Sequence, residues 1–75
     1  MDAWIVIDED RHAGVNALPF STEAAAVEYA RSLLPDDATE EPLLSQAMRD
    51  GWVLCLTHGA EGDCVRVVKR TVDKP

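Results

Sequence analysis

Residues 21–35, STEAAAVEYARSLLP, carry the clearest structural signal in this 75-residue chain. Ser21 is a good N-cap, Glu23 places negative charge in the first turn, where the helix dipole favours it, and Pro35 stops a helix. Between them, apolar residues recur every three or four positions, which is the spacing of one buried helical face. They are Ala26, Val27, Ala30, Leu33 and Leu34. The stretch therefore predicts an amphipathic helix whose alanines let it lie close to a sheet.

Two strand signals precede this helix. Residues 3–7, AWIVI, form a short apolar run rich in β-branched side chains, which is typical of a strand in the interior of a sheet. The acidic residues 8–10 indicate a turn, and a hairpin loop ends at Gly14. A weaker strand follows over residues 15–20. Its Pro19 cannot donate a ladder hydrogen bond, so we expect this strand at a sheet edge.

The second half of the chain predicts a linker, a short helix and a closing hairpin. Residues 35–41 are acidic and polar, Pro42 opens the second helix, and Gly51 ends it as a left-handed cap. The hairpin strands cover residues 52–57 and 63–72. The order is strand-strand-helix-helix-strand-strand, which predicts an α+β fold: a small single-layer antiparallel sheet with helices packed on one face.

The domain boundaries follow from the same elements. Residues 1–72 form a single α+β domain, and residues 73–75 form a C-terminal tail that we expect to be disordered. A chain of about 8.2 kDa cannot spare its core to enclose a pocket of drug size. Any function should therefore reside on the surface.

The closing hairpin can be assigned a register, because directly paired residues share a face of the sheet. Pairing Thr57 with position 62 puts the apolar residues of both strands on one face, and it puts Cys55 opposite Cys64. Trp52, Leu54 and Leu56 then share the face of Val65 and Val67. The other face is amphipathic, and it carries Val53, Cys55, Cys64, Arg66, Val68 and Arg70.

Charge and composition exclude several classes of function. The chain has fourteen acidic and seven basic residues, and its net charge of −7 repels nucleic-acid phosphates. No stretch approaches the roughly 20 apolar residues that span a bilayer. Residues 1–4, MDAW, lack the basic region of a secretory signal, so we expect a cytoplasmic protein with free thiols.

No catalytic or cofactor motif is present in the sequence. It contains no nucleophile elbow, phosphate loop or dinucleotide fingerprint. The acidic residues at 8–10 resemble the start of a calcium loop, but Ala13 and Pro19 stand where that loop needs a glycine and a bidentate acid. We therefore expect neither an enzyme nor a cofactor.

Three hypotheses for function remain. The first is a non-catalytic module that binds a protein partner, or a second copy as a homodimer. It would use an open sheet edge or the amphipathic sheet face of Val53, Arg66, Val68 and Arg70. The second is a metal- or redox-responsive regulator that uses Cys55, Cys64 and His58, with His12 as a further metal ligand. The third is an acidic mimic of nucleic acid that occupies a basic protein surface.

The two cysteines and the two tryptophans each have more than one interpretation. Cys55 and Cys64 are explained more simply as small buried hydrophobic residues than as a disulfide or a redox pair. Trp4 and Trp52 each begin a strand, and each suits either the core of a small domain or the anchor of an interface.

Overall fold

The computed structural model describes residues 1–10, 14–59 and 63–71, and the side chain of Asp10 is not described. Residues 11–13, 60–62 and 72–75 lie outside the described residues. The predictions made for His12, Ala13, position 62 and the disordered tail lie there too.

Within the described residues, the chain forms a five-stranded antiparallel sheet and two helices. The elements are β1 (Asp2–Asp10), β2 (Gly14–Phe20), α1 (Glu23–Ser32), β3 (Thr39–Glu40), α2 (Ser45–Arg49), β4 (Trp52–His58) and β5 (Asp63–Thr71). The strand order across the sheet is β2-β1-β5-β4-β3. The α+β class, the interior position of β1 and the edge position of β2 are confirmed.

Two local predictions, one toward each edge of the sheet, are wrong. The predicted helix-to-helix connection omits β3, in which Thr39 and Glu40 pair with Thr57 and Leu56. Two polar residues are too few to show the periodicity of a strand, so β3 is recognised only from its pairing with β4. The acidic turn at residues 8–10 is instead the end of β1, because Asp8 and its neighbours continue the ladder with β2.

Helix α1 covers one face of the sheet. Within the helix its predicted apolar face is confirmed: Ala26 and Ala30 are fully buried, and Val27 packs against the core at its margin. The helix ends at Ser32 and not at Pro35 as predicted, so Leu33 and Leu34 lie beyond it, where they also pack against the core. The N-cap is Thr22 rather than Ser21, since the Thr22 hydroxyl accepts a hydrogen bond from the Ala25 N–H at 3.3 Å. The strands contribute Val6, Leu54, Leu56, Val65 and Val67 to this core.

Helix α2 is shorter than expected and lies beside β4. It begins at Ser45, so Pro42 precedes the helix instead of opening it. Gly51 ends it as predicted, with a φ of +91°. The Gly51 carbonyl then accepts a hydrogen bond from the Lys69 N–H at 2.7 Å, which ties the end of α2 to β5.

From Leu54 to His58, the hairpin of β4 and β5 has the predicted faces but a different register. Cys55 pairs with Arg66, and Thr57 pairs with Cys64, so each residue is shifted by two positions from the predicted partner. A shift of two preserves the faces, because side chains alternate with a period of two. The prediction that Cys55 lies directly opposite Cys64 is therefore wrong, and the two are diagonal neighbours.

Because of a β-bulge between Trp52 and Leu54, the predicted faces of Trp52 and Val53 are also wrong. Trp52 pairs with Val68, and so lies on the face away from Leu54 and Leu56. Val53 packs against the core cluster instead of joining the outer face. An extra residue in one strand reverses the alternation beyond it, which parity alone does not anticipate.

Candidate interaction surfaces

The sheet face opposite α1 is organised around Arg66. Its Nη2 donates a hydrogen bond to Glu9 Oε1 on β1, and its guanidinium lies 5.1 Å from the ring centroid of Trp52 on β4. A guanidinium over an indole ring is attracted by the negative ring face. The Arg66 side chain is only 22% exposed. It therefore joins three strands of its own sheet and presents little of itself to a partner.

The four residues of the predicted interaction face do not form one accessible patch. Val68 lies on the same face as Arg66 but is 3% exposed. Arg70 donates from Nη1 to the carbonyls of Asp50 and Lys69, which anchors the C-terminal end of α2. The bulge places Val53 against the core. That this face binds a partner stays a prediction, but its side chains are already engaged within the domain.

The two cysteines lie close together as free thiols. The Sγ atoms of Cys55 and Cys64 are 4.0 Å apart, and both residues are half-buried. Burial raises the pKa of the Cys55 thiol from 9.0 to about 11, and Cys64 adds to the rise. A raised pKa keeps the thiol protonated, whereas redox-sensing cysteines are exposed and have lowered pKa values. The arrangement favours inert thiols, and the redox alternative stays a prediction.

We expect Cys55 to be alkylated slowly near neutral pH. With a pKa of about 11, its thiolate fraction at pH 8 is roughly a hundredfold smaller than that of a thiol at 9.0. The rate with iodoacetamide, followed by mass spectrometry of the Cys55 peptide, should rise about tenfold per pH unit up to pH 10. The control is the same protein unfolded in guanidinium. Equal rates in folded and unfolded protein at pH 8 would contradict the raised pKa.

The predicted metal ligands are not brought together. His58 Nε2 lies 3.3 Å from Asp37 Oδ1 and pairs across the hairpin with Asp63. Strand alternation places His58 on the face opposite Thr57, and therefore away from Cys55 and Cys64. The described part of the chain contains no group of three metal-ligating side chains.

Both tryptophans are half-buried. Trp4 packs against the core cluster, and the Lys69 Nζ lies 5.7 Å from its ring centroid. Trp52 lies under Arg66 on the opposite face. Each ring therefore contacts a cation of β5 while contributing apolar area to the domain.

The outer edge of β2 is an exposed surface. The sequence predicted this strand at an edge and suggested binding at an open sheet edge, but it did not indicate which edge would bind. This strand, GVNALPF, pairs with β1 on one side and has no neighbour on the other among the described residues. Val15 is 66% exposed and Leu18 is 44% exposed. No residue of β2 is charged, in a chain with 28% charged residues. That contrast was present in the sequence and could have marked this strand.

Pro19 indicates which backbone N–H and C=O groups of β2 face away from β1. Proline is tolerated in an edge strand at positions where the backbone N–H that it lacks would face solvent. Pro19 pairs with Ile5 within the ladder, so the N–H and C=O groups of Val15 and Ala17 also point outward by alternation. Natural edge strands are usually shielded by charges, bulges or proline. Residues 14–18 have none of these among the described features.

A cleft lies between β2 and α1, on the face of the sheet that α1 covers. Its volume is about 180 Å³, and its lining is Val6, Asp8, Asn16, Ala17, Leu18, Tyr29 and Leu33. Leu18 and Tyr29 supply apolar walls, and Asp8 supplies a carboxylate. The sequence could not place this cleft, because its lining comes from three elements that only the fold brings together.

Comparison with known proteins gave no relative: no family model, no curated protein and no solved structure matches this chain. A search of the described residues for a helix long and apolar enough to cross a membrane found none.

Proposed function

We propose that this domain is a non-catalytic protein-interaction module that binds an extended segment of a partner by strand addition at β2. The proposal rests on one observation: β2 is an uncharged edge strand with an unpaired outer side among the described residues. An added strand gains affinity from backbone hydrogen bonds that are already aligned. Val15 and Ala17 would supply the donors and acceptors.

The edge supports this role better than the sheet face does. Arg66 and Arg70 are held by contacts inside the domain, and Val68 is nearly inaccessible. Binding through that face would require these contacts to be broken. Binding through β2 breaks nothing, because its outer groups have no partner among the described residues. Of the two modes that the sequence suggested, the open edge is therefore the one we propose.

Substituting Ala17 by Pro tests strand addition directly. The change removes an outward N–H while preserving the inner ladder with β1, as Pro19 already does two residues later. Ala17→Val is the matched control, because it keeps the donor at the same exposed position. The probes are peptides selected from a random display library against the wild-type domain, with affinity measured by interferometry.

We expect the selected peptides to bind Ala17→Pro at least tenfold more weakly than wild type, a difference of about 1.4 kcal/mol. Affinity for Ala17→Val should change less than about twofold. Circular dichroism and the melting temperature of both variants would establish that they fold. Folded Ala17→Pro that keeps wild-type affinity for every selected peptide would overturn the proposal.

A further inference from the structure

From the cleft between β2 and α1 we infer the chemistry of the partner segment: an extended strand carrying a Lys or Arg whose side chain enters this cleft and meets Asp8. The inference rests on the proposed strand addition and goes beyond it, since the edge alone selects no side chain. In strand addition, the backbone gives affinity and pockets for alternate side chains give specificity.

The cleft is positioned to receive such a side chain. It lies along β2 on the face that α1 covers, so every second side chain of an added strand would point toward it. Leu18, 44% exposed, forms its outer wall, and Tyr29 of α1 and Leu33 at the end of that helix form the opposite wall. These apolar walls suit the methylene stem of a long side chain, which buries its stem and keeps its charged end polar.

Distance restricts which side chain can reach the carboxylate. Asp8 is on β1 and pairs with Asn16 of β2, so an added strand would lie two strand spacings, about 10 Å, from β1. Short polar side chains cannot span that gap. The stems of Lys and Arg, together with the side chain of Asp8, can.

Charge favours the same occupant. Asp8 has no hydrogen bond or ion pair among the described residues, whereas Arg31, Arg66 and Lys69 each pair with a carboxylate. The chain as a whole carries a net charge of −7. A second copy would bring the same excess of negative charge to the edge. A cationic segment would be attracted to it and would gain a counter-charge for Asp8.

The test uses three synthetic peptides and the full chain. The peptides are acetyl-Thr-Ile-Lys-Ile-Thr-amide and its analogues with Glu or norleucine in place of Lys; norleucine keeps the stem and removes the charge. Binding is followed by the backbone amide shifts of β2 in NMR titrations. The variants are Asp8→Asn, which removes the carboxylate, and Asp36→Asn, which removes the same charge from an exposed turn outside the cleft.

We expect the Lys peptide to bind at least tenfold more tightly than the Glu peptide, and about threefold more tightly than the norleucine peptide. Asp8→Asn should reduce both ratios to less than twofold, and Asp36→Asn should leave them unchanged. Titrations at low and high salt should show the preference for Lys falling as salt rises.

The two levels of the proposal fail differently. Equal binding of all three peptides with shifts at the Val15 and Ala17 amides would overturn the cationic preference and leave strand addition standing. Amide shifts absent from β2 with every peptide would overturn strand addition itself. A dimer found by sedimentation, and lost in Ala17→Pro, would identify a second copy as the occupant and overturn the cationic segment.

Discussion

Replacing Gly51 by Ala is expected to lower the free energy of unfolding by about 3 kcal/mol, a large share of the roughly 4–11 kcal/mol that a domain of this size possesses. Two costs combine at this position. Gly51 has a φ of +91°, which L side chains rarely adopt, and a Cβ there would lie 2.5 Å from the Lys69 carbonyl oxygen. That oxygen belongs to the backbone of the central strand β5, so it cannot move without disturbing the sheet.

Gly14→Ala is the matched control for this prediction. Gly14 has nearly the same φ, +93°, but no described atom lies within 4 Å of the added Cβ. Its substitution should cost about 1 kcal/mol, from backbone conformation alone. The measurement is urea unfolding followed by circular dichroism. Equal losses in the two variants would show that the close approach of α2 to β5 contributes nothing.

Enlarging Ala30 to Leu is expected to cost about 3 kcal/mol. Ala30 is fully buried where α1 lies on the sheet, and it packs within a cluster that includes Val6, Val65 and Val67. A larger side chain would have to lift the helix or displace these valines. Since α1 is the helix that closes the core, separating it from the sheet would expose apolar area across the layer.

The control is Ala25→Leu, the same substitution on the exposed side of the same helix. It should change the free energy of unfolding by less than about 0.5 kcal/mol. Both variants should be compared by thermal and urea unfolding. If Ala30→Leu were as stable as Ala25→Leu, the close contact of helix and sheet would not be a determinant of this fold.

Much of the fold could be predicted because its signals are local. The interval between Ala26 and Ala30 identifies the buried helical face, and Pro19 identifies the edge strand. The parity of the last hairpin also gave the correct faces for most of its length. Each of these depends on a period of two or of about 3.6 residues, which the sequence displays directly.

The remaining features depend on contacts between distant residues. Nothing near Trp52 indicates the bulge that sends it to the face of Val68, because a bulge is decided by the fit of two whole strands. The short strand β3 is likewise defined only by its partner. The cleft was missed for the same reason: Asp8, Leu18 and Tyr29 come from three elements, and no spacing in the sequence relates them.

The central ladder of the sheet has a consequence for how the protein is made. Val6 pairs with Val67, 61 positions later, so β1 acquires its second neighbour only after nearly all of the described chain has been synthesised. Closing so long a loop costs entropy before the contacts repay it, which slows folding. Until then the nascent chain carries the apolar run AWIVI with one side unpaired. An apolar strand with an unpaired side is prone to aggregate. The interval between the synthesis of β1 and the synthesis of β5 is therefore the stage at which chaperones would protect the chain most.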